Sequence, residues 1–104
     1  MRRDGAVVQF VSCSQRAWHA GLSCWRGRPF CNDYSVGIEL EGVDEASYEH
    51  AQYGVGKELI AALRAAYPIR GIAAHSEIAP GRKTDPGPHF DWQVLGLPEA
   101  LRAL

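Results

Sequence analysis

The chain has 104 residues, with eleven Lys and Arg against twelve Asp and Glu, so its formal net charge is −1 with the histidines neutral. This length allows one small domain, and a 46% hydrophobic composition excludes a disordered tail. The balanced charge excludes a strong electrostatic footprint for nucleic acid or an anionic membrane, and no apolar run approaches the ~20 residues needed to cross a bilayer.

The first part of the chain predicts two strands separated by a long loop. Residues 6–11 (AVVQFV) follow an Asp-Gly turn signal and are rich in β-branched side chains, which is typical of a strand. Scattered glycine, proline and arginine in residues 14–34 predict a loop with at most short turns. Residues 35–41 (SVGIELE) alternate, which predicts a strand with an apolar core face and with Glu39 and Glu41 on the opposite face.

A helix is predicted next, capped by Asp44 or Ser47 and running to about Ala66, because apolar side chains recur every four residues and Pro68 follows. Gly54 and Gly56 predict a weaker first half for this helix.

The last part of the chain predicts a short strand, an irregular loop and an interrupted helix. Residues 72–74 are strand-like, and residues 79–88 hold too many prolines and glycines for regular structure. Asp91 can cap a final helix that Gly96 and Pro98 break in two.

The segment AHSEIAPGRKTDPGP, residues 74–88, carries the most chemistry. It places His75 and Asp85 ten residues apart, with Arg82 and Lys83 just before the carboxylate. This spacing alone is as compatible with a packed histidine as with a metal ligand. The neighbouring prolines favour a metal site, because they preset the backbone that holds the carboxylate.

Two further patterns are candidate site elements. Glu39, beside Gly37, can act as a general base, or it can belong to a solvated strand face. Trp18, in the loop RAWHAG, can stack on a sugar or peptide, or it can pack in the core. No local pattern supports a nucleophilic Cys-His pair.

The cysteines bear on the cellular compartment. Cys13, Cys24 and Cys31 are an odd number without a C-x-x-C pair, which favours reduced, packed thiols over a disulfide framework. We therefore expect a cytoplasmic protein.

Several motifs occur in an order that resembles the zinc-dependent N-acetylmuramoyl-L-alanine amidases, in particular the cytoplasmic AmpD type that acts on 1,6-anhydro-N-acetylmuramyl-L-alanine. They are RRDG with VVQF, RAWHAG, CNDYSVGIELEG and HSEIAPGRKTDPGPHFDW. The resemblance covers essentially the whole chain. It implies one partial amidase domain over residues 1–104, of the α/β class, with a mixed β-sheet flanked by helices as in peptidoglycan recognition proteins.

The resemblance also implies roles for individual residues. His75 and Asp85 match two of the family's three zinc ligands. Glu39 matches the acidic residue that deprotonates the zinc-bound water, and Lys83 matches the lysine that stabilises the oxyanion. Four residues lie in segments that border the groove for the muramyl sugar and peptide: Trp18, His19, Arg28 and Arg82. The implied cofactor is Zn²⁺, and the implied partner of this monomer is a muropeptide rather than nucleic acid or a membrane.

The chain departs from the family at its start and at Phe30. The family's third zinc ligand is a histidine on a strand upstream of the RRDG turn, where this chain begins, so we expect a domain that lacks the N-terminal strand and helix. His19 is the best substitute ligand, ahead of His89 and His50. Similar amidases can carry a substrate-binding arginine at Phe30. Two hypotheses follow: an amidase of peptidoglycan recycling, or an inactive remnant that binds muropeptides.

Overall fold

Residues 1–103, which a computed structural model describes, form three α-helices and one small antiparallel sheet. The helices are α1 (His50–Ala66), α2 (His75–Ile78) and α3 (Glu99–Arg102). Strands β1 (Cys24–Trp25) and β2 (Arg28–Pro29) pair Cys24 with Pro29 and Trp25 with Arg28. Two 3₁₀ helices lie at Cys31–Asp33 and Trp92–Leu95. Of the helices in these residues, none is both long and apolar enough to cross a membrane.

Helix α1 ends at Ala66 as predicted, but it begins after Glu49, later than either predicted cap. The buried side chain of Gln52 explains this start. Its Oε1 accepts the Glu49 N–H at 2.9 Å, and its Nε2 donates to the Glu41 carbonyl at 2.9 Å. The first turn of α1 is therefore fixed against the segment that carries Glu39.

The three predicted strands, residues 6–11, 35–41 and 72–74, have no strand pairing within residues 1–103. Each makes isolated hydrogen bonds instead. The Glu41 N–H donates to the Met1 carbonyl at 2.8 Å, and the Ile72 N–H donates to the Leu101 carbonyl at 2.7 Å. A strand requires a continuous ladder with a neighbour, so these sequences keep their apolar pattern without becoming strands. The predicted loop, in contrast, contains β1 and β2.

The final helix is interrupted as predicted, with the 3₁₀ helix ending at Gly96 and α3 beginning after Pro98. Residues 79–88 are irregular, also as predicted, although α2 precedes them where no helix was expected. Four aromatic rings join α1 to this C-terminal part; their centroids lie 4.8 to 5.5 Å apart in the contacting pairs of Tyr48, Tyr53, Phe90 and Trp92. This cluster therefore links residues that precede α2 in the sequence to residues that follow it.

Helix α2 is held by an ion pair to α3. Arg102 donates to both oxygens of Glu77, at 2.6 and 2.9 Å, and also to the Ile72 carbonyl at 2.8 Å. Glu77 in turn accepts the Ala74 N–H at 2.8 Å. These contacts fix the start of a four-residue helix that would not be stable alone.

Candidate active site

His75 and Asp85 lie together although ten residues separate them. His75 is the first residue of α2, and its Nδ1 is 3.2 Å from Asp85 Oδ2. The Ser76 N–H donates to the Asp85 carbonyl at 3.0 Å, which folds the proline-rich loop back onto α2. The His75 side chain is mostly buried, and that of Asp85 is about half exposed. The carboxylate therefore faces both the imidazole and open space.

The hydrogen-bond partner of the second ring nitrogen, Nε2, determines which nitrogen of His75 carries the proton. Nε2 lies 2.9 Å from the Ala20 carbonyl oxygen, which can only accept, so Nε2 is the donor. In a neutral ring, Nδ1 then presents a lone pair to an Asp85 oxygen that also has only lone pairs. A proton or a metal cation is needed to satisfy both.

This arrangement fits a metal ligand pair. Metal-binding histidines commonly donate their other N–H to a carbonyl, as His75 does to Ala20. Imidazole nitrogen and carboxylate oxygen are both zinc donors. Residues 1–103 do not bring three or more His, Cys, Asp or Glu side chains into one metal-binding group.

The backbone around Ala20 is held from two sides. Asn32 Oδ1 accepts the N–H groups of His19 and Ala20 at 3.1 and 2.8 Å. Arg82 Nη2 donates to the carbonyls of Ala20 and Leu22 at 2.6 and 2.7 Å. Sequence reasoning missed Asn32, for which the only signal is that asparagine favours turns, and Ala20, which acts through its backbone alone.

His19 lies beside this pair but makes its own contacts. Its Nε2 is 3.1 Å from the Ser35 hydroxyl, which donates its own proton to the Cys31 carbonyl, so Nε2 of His19 is the donor. Burial lowers the pKa of His19, and the nearby His75 lowers it further, against the opposing effects of Ser35 and Glu39. The lowered pKa favours the neutral form of His19.

Gly37 makes room for the His19 ring. A Cβ atom at Gly37 would lie 2.6 Å from ring atoms Cγ and Nδ1, closer than any side chain allows. Gly37, the glycine beside Glu39, accordingly packs against the imidazole.

One cavity of about 960 Å³ collects five of the eight predicted site residues: His19, Arg28, Glu39, His75 and Asp85. Apolar side chains of α1, including Ile60 and Leu63, form another part of its lining. Glu39 is exposed, so water reaches its side chain.

Arg28 and Tyr34 form a wall of this cavity. The guanidinium of Arg28 lies 3.8 Å from the centre of the Tyr34 ring, a distance that allows a cation–π interaction. Tyr34 donates its hydroxyl to the Arg28 carbonyl at 2.7 Å. Burial of that hydroxyl and its hydrogen bond with Cys31 raise the pKa of Tyr34 to about 12. This wall offers the Arg28 cation to a bound molecule, while the guanidinium covers one face of the Tyr34 ring.

The other three predicted residues do not line the cavity. Trp18 is 80% exposed and has the Arg16 guanidinium 5.2 Å from its ring. Lys83 is exposed, and its backbone N–H donates to the Ala79 carbonyl at 3.0 Å. The guanidinium of Arg82 is engaged with the backbone near Ala20.

Comparison with known proteins finds amidases that resemble this chain. Residues 1–88 match the family model of N-acetylmuramoyl-L-alanine amidase. The 1,6-anhydro-N-acetylmuramyl-L-alanine amidase AmpD of Enterobacter cloacae is 54% identical, in an alignment that covers 88% of this chain and 50% of that protein. The chain thus spans about half the length of the curated relatives it matches.

Solved structures give the same result and confirm the predicted fold class. The selenomethionine derivative of AmpD superposes with a TM-score of 0.86 and 48% identity, covering 97% of this chain and 56% of that one. AmpDh3 from Pseudomonas aeruginosa, in complex with anhydromuramic pentapeptide, superposes with a TM-score of 0.73 and 38% identity, covering 83% and 38% of the two chains.

Proposed function

This chain belongs to the N-acetylmuramoyl-L-alanine amidase family, and from that premise we propose that it hydrolyses the amide between 1,6-anhydro-N-acetylmuramic acid and the L-alanine of a stem peptide. The substrate class is supported by AmpD relatives and by the anhydromuramic pentapeptide bound to AmpDh3. We place the reaction in cytoplasmic peptidoglycan recycling, consistent with the three free cysteines.

The observation that carries the proposal is the pairing of His75 with Asp85. Nε2 of His75 donates to Ala20, and Nδ1 lies 3.2 Å from the carboxylate, so an imidazole nitrogen and a carboxylate oxygen are available side by side. We propose that both residues hold Zn²⁺, with water in the remaining positions, because residues 1–103 bring no third His, Cys, Asp or Glu side chain to this pair. When bound, the ion polarises the amide carbonyl and makes water a nucleophile at neutral pH.

Other residues of the chain then act as general base, stabilise the oxyanion and contact the substrate. Glu39 lines the same cavity and takes the proton of the attacking water as general base. Lys83 supplies positive charge to the developing oxyanion; it follows Arg82 in the loop that leads to Asp85. Arg28, which lies over the Tyr34 ring, offers its cation to the sugar or peptide.

Two further predicted groove residues, His19 and Trp18, are proposed at the border of this cavity. His19 lines it, with Nε2 held by Ser35. Trp18 is the adjacent residue and is largely exposed, so its indole is free to stack on a sugar ring.

The test combines zinc binding with peptide release. We expect one zinc per chain and release of free peptide from an anhydromuropeptide, followed by chromatography. Glu39→Gln should lower kcat by roughly 10²- to 10⁴-fold while zinc binding is retained. Glu41→Gln is the matched control, because Glu41 lies two residues away and pairs with the exposed Arg3 at 3.3 Å. Full turnover in the Glu39 variant would overturn the assignment.

A muropeptide-binding module without hydrolysis is the second candidate. The observation that favours it is that Arg28 and Tyr34 line the cavity independently of His75 and Asp85. Saturable binding of the anhydromuropeptide without peptide release at stoichiometric zinc would select it, whereas turnover that depends on Glu39 would exclude it.

A further inference from the structure

We propose that Arg82 is a positioning residue, which fixes the orientation and the protonated nitrogen of His75 through the carbonyl group of Ala20. The inference deepens the proposed function, since it treats His75 as a metal ligand. The Ala20 oxygen accepts two hydrogen bonds, one from Arg82 Nη2 at 2.6 Å and one from His75 Nε2 at 2.9 Å. A carbonyl oxygen has two lone pairs, so both donors can be satisfied at once.

The two donors reach that oxygen from opposite ends of α2. His75 begins this helix, and Arg82 follows its C-terminus, where the Arg82 N–H donates to the Ala79 carbonyl at 3.1 Å. Helix α2 and the turn that follows it thus connect the two groups. The Ala20 peptide is clamped between them, so a shift of the guanidinium changes the acceptor that His75 uses.

The guanidinium of Arg82 lies directly against the backbone of Gly21. A Cβ atom at Gly21 would lie 3.0 Å from Nη2 and 3.1 Å from Nη1 of Arg82, and the residue has φ +62°. The guanidinium therefore packs directly on the backbone of the turn. The neighbouring Leu22 is 82% exposed, so packing of its side chain cannot replace this contact.

The charge of Arg82 also matters. A charge-assisted hydrogen bond polarises the Ala20 peptide and makes its oxygen a better acceptor for a second donor. With Nε2 held as the donor, Nδ1 is left unprotonated toward Asp85. Removing an orienting partner of this kind lowers metal affinity by roughly 10- to 100-fold in characterised metalloproteins.

The test uses the whole chain with Arg82→Gln and Arg82→Lys. The control is Arg2→Gln, because Arg2 is exposed and residues 1–103 provide no hydrogen bond or ion pair to its side chain. Two quantities are measured: the exchange-protected Nε2–H proton of His75 by ¹⁵N-edited NMR without metal, and the zinc Kd by competition with a chromophoric chelator. We expect Arg82→Gln to lose the protected proton and to weaken zinc binding by roughly 10- to 100-fold. Arg82→Lys should fall between it and the wild type.

Gly21→Ala provides an independent perturbation. It keeps Arg82 but adds a Cβ atom 3.0 Å from Nη2, so the guanidinium has to move. It should also lose the protected Nε2–H proton. Retention of that proton in both Arg82→Gln and Gly21→Ala would overturn the inference. If the wild type binds no zinc, the proposed function fails, and the NMR measurement still decides the role of Arg82.

Discussion

Replacing Glu77 with alanine should lower the free energy of unfolding by about 3 kcal/mol. The carboxylate accepts two hydrogen bonds from Arg102, at 2.6 and 2.9 Å, and one from the Ala74 N–H at 2.8 Å. Charge-assisted bonds contribute about 1.5–3 kcal/mol each and a helix cap about 1 kcal/mol. The sum is reduced because the two side chains are 24% and 21% exposed, and because Arg102 retains the Ile72 carbonyl and the Trp92 ring.

Urea unfolding of a double-mutant cycle isolates the pair. Glu77→Ala, Arg102→Ala and the double variant should give a coupling energy of about 1.5–3 kcal/mol. The midpoint temperature of thermal unfolding, Tm, should fall by about 12–24 °C in Glu77→Ala. The matched comparison is Arg3 with Glu41, whose side chains are 55% and 49% exposed, so that pair should contribute less than about 1 kcal/mol.

The pH dependence gives a second measurement on the same carboxylate. The hydrogen bond from Arg102 lowers the pKa of Glu77 from 4.5, against burial and with help from the Ala74 N–H. A carboxylate whose pKa is lower in the folded state stabilises the protein fully above its unfolded pKa. That stability is lost as the pH falls through the folded pKa. A coupling energy below about 0.5 kcal/mol, or an unchanged acid transition in Glu77→Ala, would refute the reasoning.

Three further predictions concern the turn near Ala20, the histidine beside it and the packing around β1. Because burial lowers the pKa of His19 below 6.5, folding stability should fall as the pH drops from about 6.5 toward that folded pKa, and His19→Gln should remove this component in urea titrations. Gly71→Ala should destabilise by about 1–3 kcal/mol, because its Cβ would meet Trp25 at 2.2 Å, whereas Gly54→Ala, with nothing within 4 Å, should stabilise α1. Asn32→Ala should cost about 1–3 kcal/mol in chemical denaturation and Asn32→Asp less, because two backbone N–H groups lose their acceptor only in the alanine variant.

Local signals in the sequence predicted some elements well. The end of α1 at Ala66 follows from a four-residue apolar repeat and from Pro68, both of which act within one or two turns. The break between the 3₁₀ helix and α3 likewise follows from Gly96 and Pro98. The start of α1 was misplaced because Gln52, inside the helix, supplies the bond that caps Glu49.

Signals that depend on distant partners were less informative. Alternation in residues 35–41 indicates which side chains share a face, but pairing depends on a neighbouring segment that alternation does not identify. Val36 and Ile38 remain 44% and 43% exposed, so the apolar face is only partly covered. The comparison with AmpD confirms the fold class, while the strand prediction for this segment is wrong for residues 1–103.

In the candidate site, too, local signals were informative and contacts between distant residues were not predicted. The residue types and rigid turns of residues 74–88 pointed to His75 and Asp85, and the structure brings the two side chains to 3.2 Å. Ala20 lies 55 residues from His75 in sequence and contributes only a carbonyl oxygen. Every residue other than proline has an equivalent backbone, so no side-chain pattern could identify it.

The backbone of Ala20 connects folding to the proposed chemistry. Asn32 accepts the Ala20 N–H at 2.8 Å, and Arg82 donates to the Ala20 carbonyl at 2.6 Å, so the peptide groups on both sides of Ala20 are held. His75 therefore meets an acceptor of fixed direction, and its Nδ1 is directed to Asp85. It follows that substitutions of Asn32 and Arg82 should not be additive in zinc affinity, because either one releases the same carbonyl group.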